Sequence, residues 1–222
     1  MKAREIRSGF FCLLFAAFFF TSAHAHWGNG WQNGMYGMTM LSGGMPYRAD
    51  NTMLQMGDAM NIASDYMKRI EYRNLAIDEI EEWDFNYYVV VKEAAPSKYN
   101  AFELTIDKWT GMVWPEPGPN MVWNWKYCWN TGMMGGQCGN SSAVKISPAD
   151  AEKAANLFLK QRFGRSRVLT VLPQSKLFYG YYSFDVKDMK TGAKFGMLSI
   201  HSSTGQVWYH TWHGRFIGGK EF

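Results

Sequence analysis

Between Ala59 and Ile70 the apolar residues Ala59, Ile62, Ala63, Tyr66, Met67 and Ile70 recur at three- and four-residue spacing. Asp58, Asn61, Asp65, Lys68 and Arg69 lie outside that stripe. The pattern predicts an amphipathic helix with one face on a core. The period then falls to two. Leu75 to Trp83 alternates loosely, Tyr87 to Val91 is β-branched and aromatic, and Phe102, Leu104 and Ile106 alternate with polar residues, so strands are predicted there. Asp84-Phe85-Asn86 and Pro96-Ser97-Lys98 provide the turns.

The same order returns later in the chain. Ser147 is a helix cap, Pro148 suits the first turn, and Asp150 follows three residues after the cap. Ala151, Ala154, Ala155, Phe158, Leu159 and Phe163 form a second stripe, and Gly164 closes the helix. Val168 to Leu172, Tyr179 to Val186, Lys194 to Ile200 and Gln206 to His210 read as strands. Two hairpin ends match residue for residue: Ile106 through Thr110-Gly111 to Val113-Trp114, and Ile200 through Thr204-Gly205 to Val207-Trp208. Glycine supplies the positive φ such a turn needs. Two copies with matching upstream segments make an internal repeat. The expected fold class is α+β, with two tandem units, each one helix packed on a three- to four-stranded antiparallel sheet.

The repeats occupy residues 53–120 and 144–217 of the 222, and the rest has a different character. Lys2, Arg4 and Arg7 precede an apolar run from Phe10 to Phe20, and Ala23-His24-Ala25 fits signal-peptidase cleavage, so residues 1–25 read as a signal peptide. A periplasmic or secreted protein is expected. Its removal brings the formal charge from +4 to about +2, which with the lack of any basic run argues against nucleic acid as a partner. With no second long apolar stretch, no membrane span is expected after that removal. Residues 26–52 form a Gly-, Met- and aromatic-rich arm expected to be flexible. Residues 121–143 are an aromatic and Gly-rich linker holding Cys128 and Cys138. An oxidising compartment favours a disulfide between them; Met133 and Met134 between the two leave a soft-metal site as the alternative.

Candidate chemistry is sparse. No nucleophile elbow, zinc-protease helix, P-loop or dinucleotide fingerprint occurs, so no catalytic residue is assigned and an enzyme is not expected. The acidic run Asp78, Glu79, Glu81 and Glu82 reads as the solvated face of an edge strand. Met35, Met38 and Met40 have a spacing suited to a soft ion such as Cu(I). His210 and His213 join them as candidate ligands; on an extended chain they point to opposite faces unless the chain turns between them. His201 on the neighbouring strand is a candidate companion of His210. Trp114, Trp123, Trp125 and Trp129 either pack between the units or form a partner-binding surface.

Each unit, a helix and then a sheet closing at Thr-Gly-x-Val-Trp (Thr110 to Trp114, Thr204 to Trp208), resembles a PepSY-like domain, the peptidase-propeptide type found in exported bacterial proteins. Phe102-Glu103-Leu104 through Asp107 to Trp114-Pro115-Glu116-Pro117-Gly118-Pro119-Asn120 is similar to a run in such proteins. The second copy departs from it, with His201 at the Asp107 position and Tyr209-His210 at Pro115-Glu116. The resemblance implies a non-enzymatic module that binds or inhibits a peptide or protein partner, such as a protease, in the cell envelope. The alternative is a periplasmic copper or soft-metal binder using the Met-rich arm and the C-terminal histidines. No cofactor is expected on the first reading and copper on the second.

Overall fold

A computed structural model describes residues 52–70, 74–127 and 143–222. Residues 1–25, read above as a signal peptide, most of the arm with Met35, Met38 and Met40, and the linker residues Cys128, Trp129 and Cys138 lie outside them. The first unit opens with α1 (Met56–Arg69), where Asp58 accepts a hydrogen bond from the Gln55 amide at 3.0 Å. An acidic residue in the first turn also suits the helix dipole. Four strands follow: β1 (Leu75–Trp83), β2 (Asn86–Glu93), β3 (Asn100–Asp107) and β4 (Val113–Pro115), paired antiparallel in that order. A short helix, α2 (Pro119–Val122), leads towards the second unit. There α3 (Pro148–Phe163) starts at Ser147, whose Oγ accepts from the Asp150 amide at 3.2 Å. Gly164 ends the helix in a right-handed conformation, not the left-handed one that glycine often provides. The second sheet holds β5 (Leu169–Val171), β6 (Lys176–Leu177), β7 (Tyr181–Asp188), β8 (Lys194–His201) and β9 (Val207–Tyr209).

The fold is α+β, and period-two alternation decides what each sheet face touches. On the first sheet Ile80, Tyr87, Val89, Val91, Leu104 and Ile106 face α1. On the second, Tyr182, Phe184, Val186, Leu198 and Ile200 face α3. The remaining faces meet each other through Trp83, Tyr88, Val90, Phe178, Tyr181 and Met197. The layers therefore run helix, sheet, sheet, helix, and β2 and β3 are buried on both sides. Each fully buried large side chain in these layers contributes about 1.5–3 kcal/mol.

A strand that the sequence reading omits joins the halves. After β9 the chain crosses back, and β10 (Phe216–Glu221) pairs antiparallel with β1, so the first sheet has the order β10-β1-β2-β3-β4. The strand begins at the edge of the second repeat, near residue 217, yet completes the first sheet. The acidic run of β1 needs correcting too, because β1 is flanked on both sides. Glu79 and Glu81 are buried between the sheets, paired with Lys176 and Lys194, while Glu82 pairs with Lys108 and Asp78 with Lys92. Among the described residues no helix is long and apolar enough to cross a membrane.

Candidate metal centre

The inter-sheet layer contains one group of three convergent metal-ligating side chains among the described residues: Glu116, His210 and His213, all buried. Glu116 follows β4 and His210 follows β9, and local structure repeats there as well as sequence. The Glu116 amide donates to the Glu103 carbonyl at 2.9 Å, and the His210 amide donates to the Met197 carbonyl at 3.0 Å. Pro115 pairs with Leu104, and Tyr209 with Leu198, both residues of the helix-facing cores. The next residue in each case turns towards the opposite sheet. Glu116 and His210 therefore approach from facing sheets.

His213 arrives by a different route. The chain bends after β9, and Gly214, at φ 83°, lets it press against the β1–β2 turn; a side chain there would bring Cβ within 2.6 Å of Asp84 Cβ. The bend brings the His210 and His213 rings to 5.8 Å between centroids. Glu116 Oε1 lies 2.8 Å from His213 Nε2 and 3.3 Å from His210 Nδ1. Glu116 Oε2 and the two inner ring nitrogens make no hydrogen bond of good geometry, and the rings meet Glu116 Oε1 as ion pairs only when protonated.

The far side of each ring is held. His213 Nδ1 lies 2.8 Å from Asn86 Oδ1, and the Asn86 amide nitrogen donates to the Trp212 carbonyl at 3.3 Å. With its nitrogen committed there, Asn86 presents its oxygen, which only accepts, so Nδ1 of His213 carries the proton. In the neutral ring Nε2 then turns a lone pair towards Glu116. His210 Nε2 lies 3.1 Å from Ser199 Oγ, leaving Nδ1 on the inner side. Outer hydrogen bonds of this kind orient imidazoles that bind metals. Burial pushes the Glu116 carboxyl up, but the two imidazoles in their protonated form, His213 foremost, hold it down to about 2, so it is ionised. The ligand atoms lie within 4.8 Å of one another. Around an ion held at about 2.0–2.2 Å they would stand roughly 3–3.5 Å apart.

Beside the triad sits a second buried carboxyl. Glu103 accepts from Tyr88 Oη at 2.5 Å and Tyr181 Oη at 2.7 Å, one tyrosine from each sheet. Burial, with the Glu116 charge adding to it, pushes the Glu103 carboxyl up. Burial likewise keeps both phenols well above their usual range, hence neutral donors. Asn120 closes this network, accepting from the Glu103 amide at 3.1 Å and donating to its carbonyl at 2.9 Å.

The structure brings His210 and His213 together by the turn that joint binding required, and it adds Glu116, which the sequence reading did not single out as a ligand. The available signal was the repeat register, in which Glu116 and His210 are equivalent. His201 is not their companion: its Nδ1 accepts from the Ser203 and Thr204 amides at 3.2 and 3.3 Å, and its ring meets Trp123 edge-on at 5.1 Å. Trp123 also packs on Trp208 at 5.6 Å, and Trp125 packs on Tyr179 at 4.9 Å. Trp114, Trp123 and Trp125 are half-buried, and the aromatic contacts of Trp123 and Trp125 tie the bridge to the second unit. The methionines Met35, Met38 and Met40, with Trp129, Cys128 and Cys138, fall outside the described residues.

No protein-family model matches the chain, and no curated protein is similar to it in sequence. Among solved structures it is similar to the Bacillus megaterium YpeB C-terminal domain, at 15% identity over 71% of this chain and 62% of that one. The TM-score is 0.27, a likeness too distant to carry an argument.

Proposed function

We propose that this chain is an exported, non-enzymatic protein of two PepSY-like units that binds one divalent transition-metal ion between its sheets. One observation carries the reading. Glu116 Oε2, His210 Nδ1 and His213 Nε2 are buried without a hydrogen bond, while the outer nitrogens of both imidazoles are held by Asn86 and Ser199 and Glu116 Oε1 accepts from Trp212. Two imidazoles and a carboxylate suit Zn²⁺ and neighbouring divalent ions, whereas Cu(I) prefers thioether or thiolate sulfur. The reading keeps His210 and His213 from the metal expectation and replaces the methionines by Glu116. Complete burial fits holding an ion better than turning over a substrate. The contacts of Trp123 with Trp208 and of Trp125 with Tyr179 favour packing over partner binding for these two residues.

Thermal unfolding with and without Zn²⁺ tests it. An ion present at about 100-fold its Kd adds roughly 2.7 kcal/mol, which raises Tm by about 5–10 °C for a unit of this size. Glu116→Gln should lose that rise. An equal rise in the variant, or none in the wild type, contradicts the proposal.

A further inference from the structure

The triad is sealed, so an ion reaches it only if something moves. His213 is flanked by the rings of Trp83 at 5.1 Å and Tyr88 at 5.6 Å, both wholly buried. Asn86, Ser199 and Glu103 are buried as well. Among the described side chains that touch the triad, Trp212 is half-exposed where Trp83, Tyr88, Asn86 and Ser199 are buried. The Trp212 indole Nε1 donates to Glu116 Oε1 at 2.8 Å, and its ring stacks on His210 at 4.7 Å and 20°. It thus covers two of the three ligands and has one side in solvent.

Trp212 rides on a segment whose fastening lies at the surface. Thr211, Gly214 and Arg215 are exposed. The segment is tied to the β1–β2 turn, where the Phe85 amide donates to the His213 carbonyl at 3.2 Å and the Asp84 amide to the Arg215 carbonyl at 2.9 Å. The Arg215 amide and Nε return bonds to Asp84 Oδ2 at 2.9 and 3.1 Å, and a second guanidinium nitrogen reaches Oδ1 at 3.3 Å. These charge-assisted bonds hold the Asp84 carboxyl below its usual range.

We infer that Trp212 is the gate of the metal site and that the Asp84–Arg215 pair is its latch. Opening lifts the indole from Glu116 and His210 and admits an ion; closing restores the sealed layer. The inference rests on the metal reading above. A latch that touches no ligand sets how often the gate opens, not how well the closed site holds the ion. Weakening it therefore speeds entry and escape by the same factor.

The test is Zn²⁺ exchange in the purified protein, with uptake and chelator-driven release timed for the wild type, Asp84→Asn and Arg215→Gln. Each variant should raise both rates roughly 1.5- to fivefold, the range expected for one exposed ion pair, with Kd unchanged. The double variant should be no faster than either single one. Wild-type rates in both variants overturn the gate while leaving the metal site standing, as does a weaker Kd with an unchanged on-rate. If the wild type takes up no stoichiometric Zn²⁺, the metal reading itself fails and the gate with it.

Discussion

Glu116 and His210 hold the same place in two copies of one hairpin, and their side chains meet across the sheet interface with Oε1 3.3 Å from Nδ1. Duplication alone would have set two identical groups against each other: two carboxylates repel and two imidazoles share no charge. A carboxylate facing an imidazole makes a complementary pair, and His213 adds a third donor from the crossover. The divergence between the copies is therefore what equips the interface with chemistry.

The turn at His201 should make stability sensitive to mild acid. In the first copy Asp107 Oδ1 accepts from the Trp109 and Thr110 amides at 3.0 and 2.7 Å, and His201 Nδ1 takes that part in the second copy. A protonated Nδ1 cannot accept, and burial holds this imidazole below its usual range. Its contribution is therefore complete above about pH 6.5 and is lost as pH falls through the lower folded value. Urea unfolding of His201→Asp between pH 5 and 7.5 should show a smaller loss of stability on the acid side than the wild type.

Glu93 is the acid-labile joint at the opposite end. It accepts from Lys126 Nζ and Tyr127 Oη, each at 2.6 Å, and from Tyr179 Oη at 3.0 Å, linking the first sheet, the bridge and the second unit. Burial raises its carboxyl, but these donors outweigh that and bring it to about 2. Its stabilisation is present above about pH 4.5 and lost as pH falls towards 2. Glu93→Gln should cost about 1–3 kcal/mol at pH 7 and flatten the decline of stability below pH 4.5.

Lys194 sits between buried Glu81 and half-buried Asp185. It contacts Glu81, and its Nζ lies 2.6 Å from Asp185 Oδ1, with its own side chain 9% exposed. Burial pushes the Glu81 carboxyl up to about 8, so Lys194→Met removes a hydrogen-bonded partner from Glu81 and the countercharge of Asp185 and should cost about 1–3 kcal/mol. Chemical denaturation at pH 7 measures it, and a loss under 1 kcal/mol would show that solvent screens the pair.

Deleting residues 216–222 tests whether β10 is integral to the first sheet. The deletion removes the β10 ladder and the edge contact of Phe216 on Trp83 at 5.3 Å. Hydrogen exchange should then quicken along β1, with a lower Tm and a greater tendency to aggregate through the bared edge. Unchanged exchange in β1 would mean that the first half stands without this strand.

Much of this architecture was legible. The stripe from Ala59 to Ile70 and the one from Ala151 to Phe163 became α1 and α3, because three- and four-residue spacing admits little else. The matched Thr-Gly turns located β3–β4 and β8–β9. Phe216 to Glu221 was not readable as a strand: Gly218 and Gly219 break its pattern, and β10 exists because β1 offers it an edge. Glu79 and Glu81 alternate with apolar residues as a solvated face would, and only the stacking of a second sheet buries them. Glu116 was hidden by its setting, since a carboxylate among three prolines reads as loop, and its partners lie about 95 residues away along the chain.

X-ray absorption at the zinc edge, on protein carrying one equivalent of Zn²⁺, addresses the central claim most directly. The account predicts a first shell of nitrogen and oxygen only, with the outer-shell scattering of two imidazoles, and loss of stoichiometric binding in Glu116→Gln. A first shell containing sulfur would place the ion on cysteine or methionine and contradict the assignment to Glu116, His210 and His213.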